Sequence, residues 1–226
     1  MATRFYFPVT NSEFGSGINQ VAFDSSWDNI SNAFRLRLLH RKEGTGPNVN
    51  ILKAGTGVSN NNVSPLQLIS IPMEGQIITG TVKGIIQVRE TNATDNYMPQ
   101  LVARVVSYDG QTVRGTLYAS ENQAITNEFL ETGLQNRKFP RNWGGSGDTI
   151  TDVTALVGDR LCLEIGFRQE STSVATARIT AGEVLTVDDC AENETDTLTS
   201  LSPWIEFSHN FRWYPILAGR RAGTRF

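Results

Sequence analysis

The sequence predicts an all-β fold: an antiparallel β-sandwich of jelly-roll type with one short helix and an extended C-terminal arm. Three observations predict it. Apolar and polar residues alternate with period two from end to end, as half-buried strands require. The alternating runs are joined by segments rich in Gly, Asn, Ser and Asp, and the helices that parallel βαβ units need between strands are missing. Helical spacing occurs once at most, at Ile125, Phe129 and Leu130 with an end near Gly133.

The elements follow in order. Phe5, Phe7 and Val9 share one face of the first run, and Phe34, Leu36 and Leu38 share one face of the second, opposite Arg35, Arg37 and Arg41. The run Gln76–Arg89 sets Ile78, Val82, Ile86 and Val88 against Thr79, Thr81, Lys83, Gln87 and Arg89. Gly80 and Gly84 fall on its apolar side, where a bulge or a close neighbour accounts for them. Asp109-Gly110 separates Leu101–Tyr108 from Val113–Ala119, which is a hairpin signal. Leu161, Leu163, Ile165 and Phe167 then alternate with Arg160, Cys162, Glu164 and Arg168, and Ala175, Ala177, Ile179 and Ala181 form a weaker set. The closing run, Pro203 to Trp213, carries Ile205, Phe207, Phe211 and Trp213 on one face. With 226 residues and no linker or repeat, the chain reads as one sandwich, residues 1–213, followed by an arm, residues 214–226.

A formal net charge of −3 gives no reason to expect nucleic acid, and no segment is long and apolar enough for a membrane helix. The opening Met-Ala-Thr-Arg-Phe-Tyr-Phe-Pro lacks the apolar run of a secretory signal. Cys162 and Cys190 imply no disulfide framework, so reduced thiols and intracellular synthesis are the expectation, with a single bridge left open.

Enzyme chemistry finds little support. His209 falls on the apolar face of its run between Phe207 and Phe211, the setting of a satisfied core histidine more than of a base. His40 ends an Arg-rich strand. No histidine pair stands at metal-ligand spacing and there is no Cys-x-x-Cys. Gly144-Gly145-Ser146-Gly147-Asp148 lacks the second glycine position and the strand-to-helix setting of a nucleophile elbow. Gly44-Thr45-Gly46 and Gly55-Thr56-Gly57 lack the lysine and helix of a phosphate loop. No cofactor is expected.

Two features remain. The stretch from Glu183 to Asp196 gathers Glu183, Asp188, Asp189, Glu192, Glu194 and Asp196 with no Lys or Arg. It reads as a solvated, self-repelling loop, with calcium ligation or a basic surface on a neighbour as the other options. The tail after Glu206 has no acidic residue but contains Arg212, Arg220, Arg221 and Arg225. Pro215, Gly219 and Gly223 disfavour a helix there, and apolar side chains on an irregular arm stay wet unless something covers them. Tyr214, Ile216, Leu217 and Phe226 are therefore read as docking anchors and Arg220, Arg221 and Arg225 as partners for carboxylates on a neighbouring subunit.

Several segments resemble a group of tailed-bacteriophage proteins. They are Arg4-Phe5-Tyr6-Phe7-Pro8, Phe23-Asp24-Ser25-Ser26-Trp27-Asp28, Thr79-Gly80-Thr81-Val82-Lys83-Gly84, Asp109-Gly110 with Val113-Arg114-Gly115-Thr116-Leu117, Asn136-Arg137-Lys138-Phe139-Pro140, Gly158-Asp159-Arg160-Leu161 with Glu164-Ile165-Gly166, and Pro203-Trp204-Ile205-Glu206-Phe207-Ser208. The group consists of virion-type β-sandwich proteins without an agreed activity, and the resemblance reaches to about Ser208. It implies a non-enzymatic structural protein of a phage particle, a capsid decoration or cement protein or a tail component, assembled in the host cytoplasm and localised to the virion. Its partners would be copies of itself and other virion proteins. The competing expectation is a glycan-binding host-recognition module of a tail tip or fibre. There Trp27 or Trp143 would stack on a host-surface sugar, beside Tyr97 and Tyr108 in loop-like segments.

Overall fold

The computed structural model describes residues 2–8, 21–42, 44, 49–120, 128–129, 133–139, 145–172, 174–182, 185–194 and 201–214. The described chain is all-β. In the larger sheet β1 (Thr3–Tyr6), β14 (Trp204–Phe207), β6 (Thr81–Arg89), β13 (Thr176–Ala181) and β3 (Val49–Ala54) lie side by side in that order. Two more strands, β9 (Gln135–Phe139) and β10 (Asp148–Thr149), pair with β6. The second sheet runs β2 (Phe34–Arg37), β4 (Asn61–Ile69), β12 (Arg160–Gln169), β7 (Tyr97–Val106), β8 (Val113–Ala119). A ribbon of β5 (Gln76–Ile78) and β11 (Val153–Ala155) closes one end. Pairing is antiparallel except between β2 and β4.

Side-chain alternation decides what lies where, because successive residues of a strand point to opposite faces. Val82, Ile86 and Val88 of β6 and Ile205 and Phe207 of β14 join Leu66, Leu68, Leu101, Leu163 and Ile165 of the second sheet in one apolar core. Both sheets thus face a shared interior. Aromatic edges fill it: Phe5 meets Phe207, Phe211 and Trp213 nearly at right angles, and Tyr97, Phe129 and Phe167 form a second group.

The long alternating runs fold as read, with corrections at their ends. Gln76–Arg89 is interrupted at Thr79-Gly80, where Gly80 takes φ 110° beside Ser208. The Asp109-Gly110 hairpin forms, pairing Val106 with Val113 across a six-residue loop, Ser107 to Thr112, rather than a two-residue turn. Phe34 is exposed at the edge of its sheet, while Leu36 and Leu38 are buried. The closing run is strand only to Phe207; Phe211 packs into the core and Trp213 bridges to Met73.

No helix occurs among the described residues. Most of the segment Ile125 to Gly133 lies outside them, but Phe129 is described. Its N–H donates to the Tyr97 carbonyl at 2.7 Å instead of to a carbonyl four residues back, and its ring is fully buried. Tertiary contacts place that ring, and Ile125 and Leu130 lie outside the described residues. Cys162 and Cys190 are both buried and form no disulfide with each other, lying in separate apolar clusters.

Candidate functional site

The alternate faces of the sheets, which period-two patterning assigns to solvent, are in part covered. Over the second sheet lies the segment 21–29. Val21 packs on Ile69, Val106 and Cys162, all of which point away from the core. Beneath it Glu164 is fully buried and accepts hydrogen bonds from several donors. Oε2 receives the Trp27 indole N–H at 2.7 Å and the Asp24 N–H at 3.0 Å, and Oε1 receives Gln67 at 2.9 Å and the Arg104 guanidinium. Arg104, itself 4 % exposed, also donates to the Ala22 carbonyl at 2.7 Å. Burial, then the Glu164 charge, pushes the Cys162 thiol's pKa well up. A carboxylate so fully engaged anchors the segment that covers it.

A second segment lies over the larger sheet. Cys190 packs with Ile85 and Trp204, and the Trp204 indole donates to the Cys190 carbonyl at 2.8 Å. Asp189 receives Arg4 at 2.7 Å, Lys42 at 2.6 Å and the Tyr6 hydroxyl at 3.1 Å. Burial opposes its charge, yet the bonds from Lys42 and Arg4 outweigh that and hold its carboxyl below the ordinary value. Burial and the Asp189 charge push Tyr6 up to about 12. Glu192 pairs with Lys83 at 2.6 Å, and the Glu194 carboxylate accepts the Lys138 N–H at 3.1 Å. The acidic stretch is thus no self-repelling loop where it is described. It meets a basic surface, and that surface belongs to its own chain. Glu183 and Asp196 lie outside the described residues. Among the described residues no group of three or more His, Cys, Asp or Glu is placed to hold a metal ion.

The third feature is the end of the body from which the tail leaves. Arg212 N–H donates to Gln76 Oε1 at 3.0 Å and Tyr214 N–H to the Pro72 carbonyl at 3.0 Å, so the root of the tail is held against residues 72–76. Met73 in turn bonds the 156–159 turn through Asp159 and Gly158. Leu156, Val157 and Tyr108 at that turn are exposed, as are Val113, next to the Arg114 that pairs with Asp159, and Ile77, which pairs with Thr154 in the end ribbon. Together with Tyr214 these are half of the large apolar side chains that the described residues leave exposed. Two glycines show how close Val157 and Tyr108 lie to the turn and to the root of the tail. A Cβ on Gly75 would touch the Val157 side chain at 3.5 Å, and one on Gly158 would touch Tyr108 at 3.8 Å.

The residues read from the sequence fare unequally. Tyr214 is half exposed at the root of the tail. Ile216, Leu217, Arg220, Arg221, Arg225 and Phe226 lie outside the described residues, as does Trp143. Trp27 is 7 % exposed, with its ring against Gly166 and its N–H taken by Glu164, so it offers no stacking platform. Tyr97 is fully buried, whereas Tyr108 is exposed with the Arg160 guanidinium 4.7 Å from its ring centre. His209 is only half-buried and lies against the edge of Phe211, with Gln76 Oε1 3.2 Å from Nε2. Sequence reasoning missed the buried Arg104–Glu164 pair. Its one signal was a carboxylate inside the most regular apolar run of the chain, with its partners far away in sequence.

No protein-family model matches the chain, and no curated protein matches it. Among solved structures, two crystal structures of a CocE/NonD family hydrolase from Staphylococcus aureus overlap it. The first is 9% identical over 94% of this chain and 35% of the hydrolase, with a TM-score of 0.31. The second is 11% identical over 78% and 33%, with a TM-score of 0.27. The chain spans about a third of the length of those structures. Overlap this loose transfers neither fold nor activity.

Proposed function

We propose that this chain is a non-enzymatic structural protein of a bacteriophage particle, a capsid decoration or tail component. Its body is a jelly-roll sandwich, and it joins neighbouring subunits through sheet edges and residues 214–226. The observation that carries the reading is the rooted exit of the tail. Tyr214 is pinned to Pro72 on a rigid β-body, and an acid-free peptide with Ile216, Leu217, Phe226 and three arginines follows it. Residues 215–226 fully extended reach on the order of 40 Å, enough to cross to an adjacent subunit. The body itself is braced at both outer faces by its own covering segments, which suits a part that must stay rigid while its neighbours are held. In a symmetric assembly one modest contact is repeated over many copies.

Imaging of the purified particle tests the reading. Density for the body at repeated, symmetry-related positions on capsid or tail is expected, and absence of the chain from the particle overturns it. The glycan-binding alternative loses Trp27 and is left with Trp143; binding to a glycan array that disappears in Trp143→Ala with folding intact would put it first.

A further inference from the structure

We propose that the apolar shelf formed by Tyr108, Val113, Leu156 and Val157 is the receptor for the tail of a second copy of this chain. Two copies would then exchange tails reciprocally. The inference rests on the reading of residues 214–226 as an attachment arm and adds the surface that receives it.

Val157 is 67% exposed and Tyr108 61%, and the two flank Gly158, where an added Cβ would lie 3.8 Å from Tyr108. An exposed apolar group of this kind marks an interaction site more often than an isolated side chain does. The group is also rigid. Gly158 N–H donates to the Met73 carbonyl and Met73 N–H to Asp159, each at 2.8 Å, and Asp159 is clamped by Arg114 at 3.1 Å. Arg160 supports the Tyr108 ring from below and donates to its carbonyl at 3.1 Å. A preformed shelf loses little conformational entropy on binding.

The occupant follows from what leaves the body beside it. Tyr214 is rooted on Pro72, the neighbour of Met73, so the exit of the tail and the shelf lie at the same end. Where donor and receptor are adjacent on one subunit, apposing two copies about a two-fold axis at that end puts each tail over the other's shelf. Such a contact is self-complementary and closed. Ile216 and Leu217 would cover Leu156 and Val157, and the tail as a whole is long enough to continue over Val113 and Tyr108. Charge fits as well. Asp109, beside Tyr108, is exposed and ionises more readily than usual, chiefly through the Ser107 hydroxyl bond. Glu74 lies at the other margin. Glu74 already pairs with Arg212 of its own chain at 3.9 Å, so Asp109 is the carboxylate offered to the arginines of an acid-free tail.

The test uses full-length chains carrying two different affinity tags, one with Val157→Cys and the other with Leu217→Cys, co-expressed and mildly oxidised. The native Cys162 and Cys190 are buried and stay out of the reaction. The expected product is a disulfide-linked pair bearing both tags, lost when either new cysteine is omitted. A link formed only within a single chain carrying both substitutions overturns the proposal in favour of a tail folded on its own body. No link in either arrangement overturns it outright. Val157→Asp, at an exposed position, should convert the dimer to monomer in sedimentation with an unchanged melting curve; a persisting dimer also contradicts the shelf. A chain ending at Tyr214 separates the two readings. If it drops out of the particle while no Val157 link forms, only the shelf is wrong. If it is incorporated in full, the attachment reading fails and the shelf proposal with it.

Discussion

The indole nitrogen of Trp27 donates to Glu164 Oε2 across 2.7 Å, joining residues 137 apart in sequence beneath a covered sheet face. The same carboxylate holds Arg104, which is equally cut off from water. A charge pair in such a place is costly to break from one side, because the partner left behind stays buried and uncompensated. Around it, the 21–29 segment is pinned at its far end by Asp28 and Asn62, which exchange bonds at 2.8 and 2.9 Å.

Glu164→Gln, which keeps the shape but removes the charge, should therefore lower unfolding free energy by about 3–5 kcal/mol in urea titration. Trp27→Phe should cost less, about 1.5–3 kcal/mol, the range for a hydrogen bond to a charged group. The double change Arg104→Met with Glu164→Leu should be less damaging than the sum of its single changes. Simple additivity would mean that the two side chains do not act as a pair.

Gly166 allows β12 to pass under Trp27. A Cβ there would fall on the Val63 carbonyl oxygen and lie within 2.8 Å of the Trp27 ring, and the pairing of β12 with β4 shifts register at this point. Gly166→Ala should destabilise by at least about 1–3 kcal/mol, the range for overpacking. Its near-ultraviolet spectrum should change as Trp27 is displaced, and a neutral substitution would contradict the close approach.

Acid should loosen the second covering segment. The Asp189 carboxyl is held below its ordinary value of 3.8, so as pH falls the unfolded chain takes up this proton before the folded one. The stabilisation is complete above the ordinary value and disappears as pH falls through the folded-state value. Asp189→Asn should flatten that part of the stability profile, and an unaltered acid limb would argue against the contacts with Lys42 and Arg4.

His209 acts in a higher window. Burial, then the neighbouring Arg212, lowers its pKa from 6.5, so protons bind preferentially to the unfolded state as pH drops below that value. Stability should be full above about pH 6.5 and decline on the acid side, and His209→Gln should remove this decline in thermal melts. An identical pH dependence in the variant would show that His209 is not responsible.

How much of this was legible in the sequence depends on which face of a strand is considered. The core face of β6 and of β12 reads directly from alternation, and Asp109-Gly110 marks its hairpin, because these are local signals. The outer faces do not. Cys162 and Glu164 alternate with Leu161, Leu163 and Ile165 as a solvent face would, and only the distant 21–29 segment makes them interior. Asp189 has no basic neighbour in sequence, since Arg4 and Lys42 reach it from the opposite part of the chain. Phe129 sits at helical spacing yet bonds Tyr97, because the aromatic group it completes is assembled only in the fold. The tail is legible only as a composition, an acid-free run with apolar residues among Pro215, Gly219 and Gly223, and beyond Tyr214 it lies outside the described residues. The shelf near its root is not legible, since Tyr108 and the Leu156-Val157 pair come from two loops far apart in sequence.

The central claim is that the residues after Tyr214 fasten a rigid β-body to its neighbours. Quantifying the subunit in purified particles, with the full-length chain replaced by one that stops at Tyr214, addresses it most directly. The account predicts that the shortened chain melts at the same temperature as the full-length protein and is missing from the particle. Normal copy number of the shortened chain in the particle would contradict it.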